Sequence, residues 1–175
     1  PADSGIYMSL FIRPTGIRNE QVLYFTTIAA VAVSEAIEAL SDKKAEIKWV
    51  NDILIDGKKV CGILSEASFG PGSSEPEYVV IGIGINAYKP ADGFPSSIAD
   101  IAGNVFGDPS AGLKNRLAAE FLNRFMTYYK NLPDTSFSDE YVKRSIVIGR
   151  DVTVRKGSRQ VRAHVLGIDE QFGLE

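Results

Sequence analysis

The stretch of sequence that decides the fold is EIKWVNDILIDGKKVCGILSEASF, residues Glu46–Phe69. Near its middle, Asp56-Gly57 is the dipeptide favoured in two-residue hairpin turns, and runs of apolar and β-branched residues flank it. These runs are Ile53–Ile55 and Lys58–Phe69. Glu46–Val50 has the same character and predicts a strand just before the hairpin. The stretch therefore predicts neighbouring strands of one sheet.

The flanking sequence adds strands and a long helix to this sheet. Ile6–Arg13 and Tyr78–Ala87 are rich in β-branched residues and predict two further strands. From Val22 to Leu40 the apolar residues recur at steps of three and four, which predicts a helix with one core-facing stripe. Asn19 is its expected N-cap.

The second half of the chain predicts two more helices and a small β module. Apolar spacing predicts a helix over Leu113–Tyr129 and a shorter one over Ser138–Ser145, capped by Ser138. After Gly149 two strands and a turn are predicted, at Asp151–Arg155, Gln160–Ile168 and Lys156-Gly157-Ser158. We therefore expect an α+β fold in two parts. Residues 1–145 form a mixed, largely antiparallel sheet flanked by helices, and residues 146–175 form a small all-β module.

Composition narrows the class of protein. The chain has 175 residues, of which 45% are hydrophobic, so it can bury a core, and a net charge of -3 gives little support for nucleic-acid binding by this segment. A single cysteine, Cys61, excludes an internal disulfide framework, and no secretory signal opens the chain. The most apolar window, Gln21–Ser34, is shorter than the roughly 20 residues that a membrane span needs. We expect a cytoplasmic protein without a membrane segment.

A charged motif, Lys48-Trp49-Val50-Asn51-Asp52, lies in the predicted strand before the hairpin. Because strand side chains alternate between faces, Lys48 and Asp52 share one side and lie roughly 13 Å apart along an extended strand. This separation suits the two ends of an extended ligand. Trp49 and Asn51 share the opposite side.

The second arm of the hairpin begins with two lysines. A period of two places Lys59 on the side of Cys61 and Ile63, where its ammonium would be partly desolvated. Such a charge requires an anionic partner, and a ligand carboxylate or phosphate would supply one. The alternative is that Lys58 and Lys59 are both solvated hairpin charges.

The later strand contains glycines at alternate positions. In Ile81–Asn86 the isoleucines form a continuous core face, whereas Gly82, Gly84 and Asn86 lie on the other face. Glycine is unfavourable inside a strand, so this pattern indicates that something approaches the bare backbone closely. The approaching surface is either a flat ligand or a packed helix.

Several common chemistries are excluded by what is absent from the sequence. The glycines at Ile81–Asn86 lack the third glycine and the strand-to-helix setting of a dinucleotide fingerprint, and no Walker-type GxxxxGK[ST] motif occurs. His164 is the only histidine, and Cys61 has no histidine or cysteine beside it, so neither a catalytic triad nor a transition-metal site is expected. Asp52 and Asn86 still offer oxygens that suit Mg²⁺.

Taken in this order, the motifs resemble the signature of biotin protein ligases. The family's K-W-P-N-D, K-hydrophobic-x-G-I-L-x-E and I-G-x-G-I-N motifs match Lys48–Asp52, Lys59–Glu66 and Ile81–Asn86. The resemblance implies a fold like that of class II aminoacyl-tRNA synthetases, with residues 146–175 as part of an SH3-like domain. Val50 stands where the family has proline, which we expect to loosen a turn without removing a functional group. The family's GRGRxGR loop would lie upstream of Pro1, so we expect a piece of a longer protein that is poorly active alone.

The resemblance also implies roles for these residues. In the family, biotin and ATP give biotinyl-5′-AMP, and the biotinyl group then passes to a lysine of a biotin carboxyl carrier protein. The implied catalytic residues are Lys59, Lys48 and Asp52. The implied biotin-binding residues are Lys59, Gly62, Ile63, Leu64, Gly82 and Gly84. The implied nucleotide-binding residues are Lys48, Trp49, Asn51, Asp52 and Asn86, with Asp52 and Asn86 also as Mg²⁺ ligands. Tyr88–Ala102 is expected to order over adenosine and to be mobile without ligand.

Two alternatives remain open. One is a lipoate-attaching enzyme, which shares the fold and the acyl-adenylate chemistry. The other is a non-catalytic ligand-binding part of a biotin-sensing repressor. DNA binding would then depend on an N-terminal helix-turn-helix, and homodimerisation is possible.

Overall fold

The structure, a computed structural model, describes residues 3–132, 134–157 and 159–175. Ser158 of the predicted turn and residues 1–2 lie outside that range. The strands are β1 (Gly5–Ile12), β2 (Glu46–Lys48), β3 (Asp52–Ile55), β4 (Lys58–Phe69), β5 (Pro76–Asn86), β6 (Asp151–Lys156) and β7 (Arg159–His164). The helices are α1 (Leu23–Leu40), α2 (Leu113–Lys130) and α3 (Phe137–Arg144). The predicted α+β class is confirmed.

Strands β1 to β5 form one sheet in the order β1-β5-β4-β3-β2, and each neighbouring pair is antiparallel. The sheet is therefore antiparallel throughout its described strands, where we expected a mixed, largely antiparallel one. The hairpin turn predicted between β3 and β4 is present. Asp56 and Gly57 have φ values of 51° and 72°, the left-handed conformation that a type I′ turn requires at both central positions.

One face of the sheet carries the core. The residues that point to it are mainly isoleucines and valines, such as Ile53, Ile63, Ile81 and Ile85, and all four are at most 2% exposed. Helix α1 packs on this face against β2, β3 and β4, and α2 and α3 pack on α1. The span Asn19–Leu40 passes a length and hydropathy test for a membrane helix, but 67% of its apolar window is buried inside the protein, as expected of a core helix.

Two boundaries differ from the predictions for physical reasons. Asn19 does not cap α1, because Asn19–Gln21 form a 3₁₀ turn and the helix begins only at Leu23. The backbone N–H of Arg18 instead donates to Oε1 of Gln21. Likewise Ser138 does not cap α3 but lies inside its first turn, after Ser136 at the N-cap position.

The C-terminal residues form a separate two-stranded sheet, β6-β7, as predicted. The turn that follows β6 includes Gly157, which has a φ of 61°. The segment after it returns to the main body, where Phe172 is 1% exposed. An SH3-like identity for this module and the boundary at residue 145 stay predictions.

Candidate functional site at the open sheet face

The face of the sheet opposite α1 carries the predicted site. One row of paired residues crosses all five strands, because each residue is the register partner of the next: Tyr7, Gly84, Gly62, Asp52 and Lys48. Paired residues of antiparallel strands point to the same side of the sheet. Two charged residues, two glycines and one tyrosine therefore line a single strip.

Lys48 and Asp52 are closer together than the sequence predicted. We expected one extended strand with roughly 13 Å between them, but the chain turns at 49–51 and the two residues are antiparallel partners on β2 and β3. Directly opposed Cα atoms lie about 4.5–5.5 Å apart. Lys48 and Asp52 therefore lie in one local site and not at the two ends of an extended site.

A β-bulge brings Lys59 to the open face. Ile53 pairs with Cys61, but Leu54 pairs with Lys59, so Val60 is an extra residue on β4. The prediction that Lys59 shares the side of Cys61 and Ile63 is therefore wrong, because it assumed an unbroken period of two. Lys59 instead shares the side of Gly62, and its side chain is 46% exposed.

Lys59 has a protein anion as its partner. Its Nζ lies 2.5 Å from Oδ1 of Asp52, whose side chain is 23% exposed. A Cβ added to Gly62 would lie 3.2 Å from both Cε and Nζ of Lys59 and 3.9 Å from that carboxylate oxygen. The missing side chain of Gly62 therefore leaves the room in which the ion pair lies. The expected anion was a ligand, and in this structure Asp52 takes that position.

A cavity of about 310 Å³ opens beside this ion pair. Its lining combines strand residues with a loop, namely Lys59, Val60, Cys61, Gly62, Gly84, Asn86, Ile98, Ile101 and Ala102. Four of the predicted site residues line it: Lys59, Gly62, Gly84 and Asn86. Its volume is at the lower end of the range for small-molecule sites, and it combines apolar walls with a few polar groups, as such sites do.

The loop wall of the cavity is joined to β4 and β5 by backbone hydrogen bonds. The N–H of Lys59 donates to the Ile101 carbonyl at 2.7 Å, and the N–H of Gly103 donates to the Lys59 carbonyl at 2.8 Å. The Nδ2 of Asn86 donates to the Gly103 carbonyl at 3.0 Å. Asn86 thus uses its amide nitrogen to hold the loop, which leaves Oδ1 for other partners.

Tyr7 belongs to the site although the sequence analysis did not select it. A Cβ on Gly84 would lie 3.6 Å from its ring, and one on Gly5 would lie 2.7 Å from it, so the ring lies over both glycines. Tyr7 is nevertheless 66% exposed. The sequence does contain a signal for this residue. Tyr7 alternates with core residues along β1, and β1 pairs with β5, the strand that contains the glycines.

The remaining predicted residues surround this centre without lining the cavity. Leu64 is 62% exposed on the open face, and Gly82 lies in the same row, as its register partner. The side chain of Ile63 lies in the core, so only its backbone faces β3 and β5. Asn51 contacts that backbone, with its Nδ2 2.6 Å from the Ile63 carbonyl. The Nε1 of Trp49 donates to the Phe172 carbonyl at 2.8 Å, and the Trp49–Val50 peptide bond is cis.

Two features bear on reactivity and on metal binding. Burial raises the pKa of the Cys61 thiol well above its usual range, so the cysteine is a packing residue and not a nucleophile. Asp52 and Asn86 provide one carboxylate and one amide oxygen, and within the described residues no cluster of three acidic, histidine or cysteine side chains occurs. Asp52 lies on β3 and Asn86 on β5, with β4 between them, so a Mg²⁺ site shared by both stays a prediction and would need substrate phosphates and water to complete the coordination.

Comparison with known proteins identifies the family. The model of the biotin/lipoate A/B protein ligase family matches residues 1–86, which contain every predicted site residue. The "Bifunctional ligase/repressor BirA" of Bacillus spizizenii is 34% identical over 96% of this chain and 52% of its own length. Residues 1–86 of this chain belong to the biotin/lipoate A/B protein ligase family. A Paracoccus denitrificans "Biotin--[acetyl-CoA-carboxylase] ligase" is 28% identical, over 95% of this chain and 71% of that protein.

Solved structures of family members share the fold. The apo biotin protein ligase from Aquifex aeolicus superposes with a TM-score of 0.79 at 24% identity, covering 98% of this chain and 74% of that one. The same enzyme in complex with biotin and ATP gives a TM-score of 0.79, with 98% and 70% coverage. The chain spans about half the length of the two Bacillus family members that it matches.

Proposed function

We propose that this chain is the catalytic core of an enzyme that activates biotin with ATP and transfers the biotinyl group to a lysine of a biotin carboxyl carrier protein. The observation that carries the proposal is the Lys59–Asp52 ion pair over the bare backbone of Gly62, at the mouth of a cavity of about 310 Å³. The names of the relatives support the same reaction, since those quoted above are called ligases, one of them for acetyl-CoA carboxylase.

The first step joins two anions. An oxygen of the biotin carboxylate forms a bond to the α-phosphorus of ATP, and the bond from that phosphorus to the bridging oxygen breaks, releasing pyrophosphate. Cations positioned before the reaction lower this barrier most effectively, because they stabilise charge that develops on the transferring phosphate. Lys59 is the best placed cation, and Lys48 is the second, on the far side of Asp52.

The glycines account for how the vitamin is held. Gly62 and Gly84 are neighbours in the register and both line the cavity. Their bare backbone lets a flat ring system approach the sheet, and the exposed ring of Tyr7 provides an apolar edge. The carboxylate end of biotin would then point to Lys59.

The second step needs a neutral amine. The ε-amine of the carrier lysine attacks the carbonyl carbon of biotinyl-5′-AMP, the mixed anhydride bond breaks, and AMP leaves with its phosphate charge. Asp52 is the carboxylate nearest to Lys59 and would accept the proton that the amine loses. Once the ligand phosphate pairs with the Lys59 ammonium, the Asp52 carboxylate becomes free to act as a base.

Asp52 and Asn86 would also hold Mg²⁺, whose charge neutralises the phosphates of ATP when it is bound. In this scheme Asn86 contributes Oδ1, since its Nδ2 is committed to the Gly103 carbonyl. We also propose a cytoplasmic location, which the need for ATP and a carrier protein supports.

The test compares biotin with lipoate as the acid that the protein converts to an acyl adenylate. The chain and the full-length product of its gene are each incubated with [α-³²P]ATP, Mg²⁺ and one of the two acids, and the acyl adenylates are separated. We expect biotinyl-5′-AMP from the full-length product and little from the chain alone. Labelled adenylate with lipoate and none with biotin would make the protein a lipoate-type ligase. No adenylate with either acid, together with tight biotin binding, would favour the repressor-type alternative, which the name of the Bacillus relative also suggests.

A further inference from the structure

We infer that Tyr141 and Phe172, two residues from the C-terminal part of the chain, are positioning residues for the Trp49–Asn51 turn that carries Lys48 and Asp52 into the site. The inference rests on the proposed function, because it concerns how these charges are held for adenylation. In the part of the chain that the structure describes, their hydrogen bonds toward the site run to this turn, at Trp49 and Val50.

Tyr141 of α3 holds the middle of the turn. Its hydroxyl donates to the Val50 carbonyl at 2.9 Å, and the side chain is fully buried. Burial raises the pKa of Tyr141, so the hydroxyl stays a donor at any physiological pH. A tyrosine needs a polar partner when it is buried, and here the partner is a peptide group two residues before Asp52.

Phe172 holds the start of the turn. Its carbonyl accepts the hydrogen bond from Nε1 of Trp49 at 2.8 Å, next to Lys48. The ring is 1% exposed and packs against three other aromatic rings, those of Tyr24, Phe137 and Tyr141, at centroid distances of 5.2 to 5.7 Å. Phe172 thus anchors the segment after β7 in the core while its backbone holds the site.

The inner side of the turn is held by β4. Asn51 exchanges two hydrogen bonds with Ile63, one through its backbone carbonyl and one through Nδ2, at 3.0 and 2.6 Å. The turn is therefore held from both sides, by β4 on one and by Tyr141 and Phe172 on the other. Because Asp52 follows directly and pairs with Lys59, a shift of the turn changes the position of both charges.

The experiment is a double-mutant cycle in the full-length gene product. Tyr141→Phe removes only the hydroxyl that bonds to Val50, and Asp52→Asn removes the charge on which we infer that it acts. We expect Tyr141→Phe to lower kcat/KM for biotinyl-5′-AMP formation by about fivefold, the scale of one lost neutral hydrogen bond. In the Asp52→Asn background the same change should cost less than about twofold, because residues that act through one another are not additive.

Tyr24→Phe is the matched control. Tyr24 lies in the same aromatic cluster, edge-on to Phe172, but no bond joins it to the turn within the described residues. If Tyr141→Phe slows adenylation no more than Tyr24→Phe, or slows it equally with and without Asp52, the inference is overturned. Thermal unfolding of each variant, measured in parallel, shows whether a rate change reflects loss of folded protein. Failure of the unaltered enzyme to form any adenylate would instead overturn the proposed function.

Discussion

The Nζ of Lys59 lies 2.5 Å from Oδ1 of Asp52, directly above the space that a side chain on Gly62 would fill. Both charges are partly exposed, and exposed ion pairs stabilise a fold by only about 0–1 kcal/mol. Stability therefore does not account for placing the pair at a cavity mouth. Under the proposed function, the pair keeps an ammonium at the cavity mouth to which a ligand carboxylate or phosphate would bind, and this binding would release Asp52.

Lys59→Gln is expected to remove this ammonium and to lower the rate of adenylate formation by about a hundredfold, the size of effect seen when one charge-stabilising group is lost. Lys58→Gln is the matched control, because Lys58 is adjacent in sequence but does not line the cavity, and its ammonium donates to the Asp100 carbonyl. We expect it to change the rate less than about threefold. Single-turnover assays with ATP and biotin measure both rates, and equal losses in the two variants would count against the role of Lys59.

Gly62→Ala is expected to weaken biotin binding and adenylation together. The new methyl group would lie 3.2 Å from Cε and Nζ of Lys59, closer than most real contacts, so the end of the lysine side chain has to shift by a few tenths of an ångström beside Asp52. Gly107→Ala is the control, since a Cβ there meets nothing within 4 Å and Gly107 is exposed. Isothermal titration with biotin measures the affinity. An unchanged affinity in Gly62→Ala would show that the glycine is not needed for the geometry of the ion pair.

The sequence predicted the hairpin, the alternating glycines and the identity of the charged residues, because these depend on turn chemistry and on strand period. It misplaced Lys59 and the Lys48–Asp52 distance. Both errors come from features that depend on tertiary pairing. The bulge at Val60 is set by the register of β3 against β4, and the turn at 49–51 is fixed by bonds from distant residues. Neither signal lies in local propensity.

The loop beside the cavity is expected to exchange its amide hydrogens in two classes. Between Tyr88 and Ser97 only the amides of Tyr88 and Gly93 donate a backbone hydrogen bond, whereas the stretch from Ile98 to Phe106 is bonded repeatedly to itself and to the strand ends. We therefore expect fast exchange over residues 89–97 without ligand and slower exchange from residue 98 onward. Protection of residues 89–97 equal to that of β5 would contradict the predicted mobility of the first part of this loop.

Gly103→Ala provides a direct test of how the second part of the loop is attached. A Cβ at Gly103 would lie 2.6 Å from the Cβ of Lys58, so the loop has to shift away from β4. We expect faster exchange at the amides of Lys59 and Gly103, whose hydrogen bonds join the loop to β4. We also expect the substitution to reduce the affinity for ATP more than the affinity for biotin. Hydrogen exchange and separate titrations of the two ligands measure these changes. Unchanged exchange at Lys59 would mean that the loop accommodates the methyl group without moving.

Alkaline pH is expected to destabilise the helical layer through Tyr128. Burial, together with a hydrogen bond to Glu35, raises the pKa of this phenol to about 12, above its ordinary value near 10. Because the unfolded chain loses this proton first, the free energy of unfolding falls as pH rises from about 10 to about 12. Tyr128→Phe removes the titrating group, so its stability should fall less steeply over this window. Urea unfolding at stepwise pH measures both slopes, and parallel slopes for the two proteins would assign the alkaline loss of stability to other groups.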